Sequence, residues 1–247
     1  MDRLKQRLRN MGPLLIILLA VFVLKMLRGG MGSIYSWIYW TLVSLPGIVL
    51  GLSFHECGHA LMSDKLGDPL PRSQGRVTLN PMHHIDPFGM LCLIFVGFGW
   101  GIPVQIDPRY YKNRRKGQIL VALAGVTVNF IIAAVLSIIT RLIFPLMVPY
   151  LGTTVGKTAL IVILSAININ LVLMIFNLIP VPPLDGFNLV TQLFRLDSKE
   201  WYYSIYRNSQ YFLIILIVLN IPSYIIYPIK SVLIKLLLGP DLSGLLI

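Results

Sequence analysis

The stretch PGIVLGLSFHECGHALMS, residues 46–63, decides how the rest of the chain is read. It is apolar except for one cluster, His55-Glu56-Cys57-Gly58-His59, and it sits in a run from about Ile34 to Leu61. That run is long enough to cross a bilayer, which takes about twenty apolar residues. On a helix, residues four apart share a face one turn apart. His55 and His59 so placed can grip one metal ion, with Glu56 beside them to act on a metal-bound water. Neutral imidazoles are good ligands for zinc. Ionisable groups inside hydrocarbon are costly, and three in one turn mark a functional site. The plainer alternative is a set of polar groups bridging packed helices. Cys57 points to another face and reads as a small buried hydrophobe.

Outward from this stretch, the composition agrees with a membrane protein. Apolar residues make up 56% of the 247 and charged residues 13%, and several runs approach the length of a span. Lipid-exposed strands would leave amides unsatisfied in hydrocarbon, so the backbone must be mostly helical. The weak ten-residue alternation of a transmembrane barrel is absent. The net charge of +11 could suggest nucleic acid, but the basic residues flank apolar spans, as the positive-inside rule expects. No nucleic-acid partner is expected. Cys57 and Cys92 lie in apolar surroundings, so no disulfide framework is expected.

The expected fold is an all-α polytopic bundle of about five to six transmembrane helices, in one domain spanning 1–247. Its core covers about 34–195, with an N-terminal helix in 1–30 and a C-terminal helical region over 205–247. Arg3, Lys5, Arg7 and Arg9 place the N-terminus in the cytoplasm. The apolar run 12–27 reads as a retained helix, because Gly29 to Ser33 match a cleavage site poorly. Further spans are expected at about 117–144 and 158–179. The run 211–238, broken by Pro222 and Pro228, reads as one kinked span or a short hairpin. Residues 62–87 read as a loop in which 75–79 could pair as a short strand. Residues 88–105 are apolar, yet Gly89, Gly97, Gly99, Gly101 and Pro103 make a poor straight helix.

A catalytic zinc takes three protein ligands and keeps a fourth position open. From the residues alone, His83, His84, Asp64, Asp68, Asp86 and Asp185 are all candidates for the third. A resemblance narrows the choice. An intramembrane His-Glu-x-x-His followed far downstream by Asn177-Leu178-Ile179-Pro180-Val181-Pro182-Pro183-Leu184-Asp185-Gly186 resembles the site-2 protease family. Asn80-Pro81, His84-Ile85-Asp86-Pro87, Gly89 and Gly99-Trp100-Gly101-Ile102-Pro103-Val104 resemble a segment of its prokaryotic branch without a PDZ domain. Ala124-Gly125 and Asn129 resemble that family's A-G-P-x-x-N stretch, with Val126 standing where the family usually has proline. The resemblance covers about residues 45–195. It implies a zinc endopeptidase with one Zn2+ per chain, held by His55, His59 and Asp185, with Glu56 as catalytic base. It also implies that Asn129 contacts substrate. The substrate class implied is the transmembrane or membrane-adjacent segment of another protein, cut in regulated intramembrane proteolysis.

For the ligands to meet, His55, His59 and Asp185 must lie at one depth, which holds only if 88–105 does not cross the membrane. A re-entrant, partly β segment at about 75–105 is therefore expected, with the site near the cytoplasmic side. Arg109, Lys112, Arg114, Arg115 and Lys116 then face the cytoplasm too and read as an anchor to anionic membrane lipid. Tyr110, Tyr111, Trp37 and Trp40 read as interfacial aromatics. His84 and Asp86 read either as cleft-side residues that help position substrate or as an ordinary interfacial turn. With no PDZ segment in sight, a regulatory membrane partner is expected. The competing functions are a non-catalytic adaptor, against which the intact Glu56 argues, and a zinc transporter, which would often show repeated halves. A prenyl-protein-type protease would need a downstream Glu-x-x-x-Asp/His element, which is absent.

Overall fold

The computed structural model describes residues 34–96 and 99–246. The helix expected at 12–27 and the glycine turn after it lie outside these residues. Helix α1 (Ile34–Lys65) runs for 32 residues, about 48 Å at the usual helical rise. It ends where Gly67 takes a φ of 102°, a value that L side chains rarely adopt. A single short turn follows, α2 (Leu70–Ser73). Helix α3 (Pro87–Val96) opens on Pro87, and the Asp86 carboxylate accepts the N–H groups of Phe88 at 2.7 Å and Gly89 at 3.2 Å. That is N-terminal capping with proline in the first helical position. Asn113 caps α4 (Arg114–Met147), and Thr153 caps α5 (Thr154–Asn177).

Three shorter helices follow: α6 (Asp185–Phe194), α7 (Glu200–Arg207) and α8 (Ser209–Val218). The last, α9 (Ile221–Ser243), starts after Asn220 in the left-handed region. So 211–238 divides at Leu219–Asn220. Pro222 falls in the first turn of α9 and Pro228 inside it.

One expectation is narrowed and one corrected. Among the described residues four helices are long and apolar enough to span, namely α1, α4, α5 and α9, while the span expected at 12–27 lies outside these residues. The short helices are too brief to cross; α3 has ten residues, about half of what a span needs. The partly β segment at 75–105 is corrected. No strand forms there among the described residues, and the one pairing is an isolated antiparallel bridge between Ile85 and Gly101. The glycines serve close approach instead: a Cβ on Gly99 would lie 2.1 Å from Gly89 O. Residues 99–104 thus run back against α3, and Ile102 N donates to His84 O at 2.7 Å.

Helices α1, α4 and α5 pack against one another, and α9 packs on α4 and α5. The seam joins Ala133, Leu160, Leu164, Ile167, Leu171, Ile234, Leu238 and Leu242. Helices in lipid gain little from hydrophobicity alone, so close van der Waals contact at small residues holds them. Gly47 is one such point, since a Cβ there would sit 2.7 Å from Ala166 Cα. This tight α1–α4–α5 core carries the candidate site at one end.

Candidate metal centre

The last three turns of α1 present His55, Glu56 and His59. Asp185, the first residue of α6, meets them from 126 residues downstream along the chain. Asp185 Oδ2 lies 3.2 Å from His55 Nε2 and 3.2 Å from His59 Nε2, and the two Nε2 atoms are 3.1 Å apart. Among the described residues this is the only group of three His, Cys, Asp or Glu side chains whose ligating atoms converge.

Two glycines make the meeting possible. A Cβ on Gly125 of α4 would lie 2.6 Å from both His55 Cε1 and His59 Nε2, so α4 can back the imidazoles only without a side chain there. A Cβ on Gly186 would lie 2.2 Å from Leu178 O, so the turn that delivers Asp185 can close only on glycine. Helix α6 is held at its other end by Arg115, whose Nε and Nη2 donate to Gln192 O at 2.6 Å and Leu193 O at 2.7 Å.

The protonation pattern fits a metal. His59 Nδ1 lies 2.8 Å from Val121 O, and a carbonyl can only accept, so Nδ1 carries a proton; in the neutral ring that a metal ligand must be, Nε2 then turns its lone pair inward. His55 Nδ1 donates to Asn129 Oδ1 at 2.8 Å. Asp185 Oδ2 is buried and lacks a hydrogen-bond partner. The place of Asp185 in the first turn of α6 favours the anion. Three such acceptor atoms within 3.2 Å of one another need a cation or a shared proton between them. Zinc bonds of about 2.0–2.1 Å in a tetrahedron set neighbouring ligand atoms about 3.3 Å apart. The donor set and its spacing therefore suit zinc.

Glu56 is half-buried and stands on the cleft side, one carboxylate oxygen accepting Val104 N–H at 3.0 Å. The cleft holds about 540 Å³ and is lined by Glu56, Val104, Gln118, Asn188, Tyr202 and Tyr206 besides the three candidate ligands. No motif pointed to the two tyrosines, and nothing in their spacing separates them from ordinary interfacial aromatics. A buried network fixes the wall that carries Val104. Ser63 Oγ donates to Asp68 Oδ2 at 2.8 Å and lies 2.6 Å from the Tyr111 hydroxyl, while Asp68 Oδ2 also accepts Asp107 N–H at 2.8 Å. Burial pushes the Tyr111 hydroxyl above its ordinary value, and the Arg109 guanidinium holds the Asp107 carboxyl below its own.

The remaining candidates are occupied elsewhere. Asp64 pairs with Arg72 at 2.7 Å, Asp68 belongs to the buried network, and Asp86 caps α3. His84 is fully buried with Nε2 2.7 Å from Thr78 O, and it does not line the cleft. Asn129 is also fully buried. Its amide is engaged by His55, Gly51 and Asn170. Neither Asn129 nor His84, the expected substrate contacts, is among the residues that line the cleft. Val126, where the family usually has proline, lies in an unbroken stretch of α4.

Comparison with known proteins bears on this geometry. Peptidase family M50 matches residues 139–219, the part of the chain that contributes Asp185. A Bacillus subtilis protein named "Putative zinc metalloprotease YwhC" is 32% identical over 199 residues, 78% of this chain and 90% of that protein. The similarly named Rip2 of Mycobacterium tuberculosis is 29% identical over 181 residues, 71% of this chain and 65% of its own length. Rip2 of Mycolicibacterium smegmatis is 26% identical over 170 residues, 64% of this chain and 62% of its length. No solved structure matches the chain.

Proposed function

Because the chain belongs to peptidase family M50, a family of zinc metalloproteases, we propose that it is an intramembrane endopeptidase. Its substrates are transmembrane or membrane-adjacent segments of other proteins, cut in regulated intramembrane proteolysis. The observation that carries this reading is the convergence of His55 Nε2, His59 Nε2 and Asp185 Oδ2 within 3.2 Å at one end of a bundle of spanning helices.

His55, His59 and Asp185 would hold the zinc, which in catalytic sites of three protein ligands also takes a water. When bound, the zinc polarises the scissile carbonyl and acidifies a water. Glu56 takes that water's proton and passes it to the leaving amine, acting first as general base and then as general acid. The Val104 N–H holds one Glu56 oxygen at 3.0 Å, which leaves the other for the proton. The cleft of about 540 Å³ has room for an extended segment. A helical substrate hides its amides in hydrogen bonds, so it unwinds locally before cleavage.

The N-terminus and the site lie on the cytoplasmic side, where Arg109, Lys112, Arg114, Arg115 and Lys116 meet anionic lipid. A membrane partner regulates access. The test is a comparison of membrane proteomes from cells carrying wild-type protein or Glu56→Gln. The reading expects an uncut membrane protein to accumulate only with the variant, while the variant keeps its zinc. Wild-type cleavage by Glu56→Gln would refute the assigned role.

A further inference from the structure

The two imidazoles are held by different kinds of acceptor, and the difference matters. Val121 O can only accept, so it fixes the His59 tautomer by itself. Asn129 has a donor end and an acceptor end. A flipped Asn129 would present its NH2 group to His55 Nδ1 and drive the imidazole proton onto Nε2, the atom that faces His59 and Asp185. What opposes the flip lies one step further back. Asn129 Nδ2 donates to Asn170 Oδ1 at 3.2 Å and, at longer range, to Gly51 O at 3.4 Å. Asn170 Nδ2 in turn donates to Ala166 O at 2.9 Å.

Ala166 O is a main-chain acceptor, so the polarity of the chain is set at its far end. Asn170 must turn its oxygen to Asn129, Asn129 must turn its oxygen to His55, and His55 must carry its proton on Nδ1. Asn129 and Asn170 are 0% exposed and His55 is 5% exposed, so water is not at hand to replace a link. Gly51 leaves room for the pair: a Cβ there would lie 3.3 Å from Asn170 Oδ1 and 2.6 Å from Leu173 Cδ1.

We propose that Asn129 and Asn170 form an amide relay of fixed polarity that sets the tautomer of His55. Both are then positioning residues for the metal centre rather than contacts for substrate. The relay joins α5 to a ligand on α1 through α4, so all three core helices take part in preparing the site. The inference rests on the zinc reading of the site. Groups behind a metal-bound histidine commonly fix its ring and tautomer, and losing them weakens metal affinity about 10- to 100-fold.

The test uses the full chain, labelled with 15N at its four histidines and freed of metal in detergent micelles. Ring nitrogen shifts report the tautomer directly, a signature that a merely structural role would not move. In wild-type protein His55 is expected to show a protonated Nδ1 and a bare Nε2. Asn170→Leu, an apolar replacement on a buried helix, is expected to mix the tautomers at His55 and leave His59 unchanged. Its zinc affinity should fall about 10- to 100-fold. Asn170→Asp, which burial would keep as the neutral acid, can accept from Asn129 while donating its proton to Ala166 O and is expected to stay near wild type, which guards against loss of the fold in the leucine variant. A wild-type His55 protonated on Nε2 would overturn the relay. So would an Asn170→Leu protein with unchanged tautomer and affinity. A wild-type protein with the expected tautomer that bound no zinc would instead sink the protease reading and leave the relay standing.

Discussion

Gly125→Ala is the most demanding small change the structure offers. The new methyl would sit 2.6 Å from His55 Cε1, 2.6 Å from His59 Nε2 and 2.7 Å from His59 Cε1. Carbon atoms pack at about 3.5–4.0 Å, so each ring must retreat by about 1 Å or α4 must move away. Neither adjustment is easy. His59 is held to Val121 O and His55 to Asn129, both on α4 itself. Metal–ligand distances tolerate only about 0.2 Å. The expected result is zinc affinity at least about 100-fold weaker, at the upper end of what loss of supporting groups causes. Any residual cleavage should fall by a comparable factor, since a misplacement of about 1 Å can cost about 100-fold in rate. Chelator competition on purified protein measures the first, and cleavage of whichever protein accumulates with Glu56→Gln measures the second. Gly152→Ala is the control, because nothing lies within 4 Å of a Cβ there. A Gly125→Ala protein with wild-type zinc affinity and activity would refute the packing argument.

Three further outcomes are expected. Arg115→Ala removes two hydrogen bonds to the last carbonyls of α6, and thermal unfolding in detergent should show a loss of about 1–3 kcal/mol. Arg115→Lys should recover only part of it, because a lysine lacks the paired donors. Gly186→Ala should lower both stability and zinc content, since its Cβ would meet Leu178 O at 2.2 Å; retention of full zinc would contradict the claim that this turn seats Asp185. Burial pushes the His84 imidazole below its ordinary value. Its stabilising contribution is thus complete above about pH 6.5 and is lost as the pH falls through the lower folded-state value. A His84→Phe variant should show a flatter fall in unfolding midpoint between pH 7 and 5 than the wild type, and identical slopes would refute this.

The heart of the site was legible because its spacing is a helical property. His55 and His59 lie one turn apart on any helix, and an apolar run of that length has few alternatives in a membrane. The third ligand was different. Nothing in the local residues separated Asp185 from Asp64, Asp68 or Asp86, and only the Asn-x-x-Pro-x-x-x-x-Asp-Gly resemblance chose it. The misjudged segment was 75–105. Residues 75–79 read as a short strand and the glycines after them as a poor straight helix, but Asp86-Pro87 is a helix start, and the apolar run Met90–Phe95 follows it directly. The glycines at 89 and 99 serve the contact between that helix and the chain returning beside it. The resemblance alone points Asn129 to substrate, and a sequence does not say which way an asparagine on a helix faces. Its actual partners come from residue 51 of α1 and residue 170 of α5, a meeting that only the packing of three helices creates.

X-ray absorption at the zinc edge of purified, metal-loaded protein tests the central claim most directly. One zinc per chain is expected, bound by two imidazole nitrogens and oxygen, with no sulfur from Cys57 or Cys92, and the signal should be lost in Asp185→Ala. A sulfur ligand, or an unchanged spectrum and zinc content in Asp185→Ala, would contradict it.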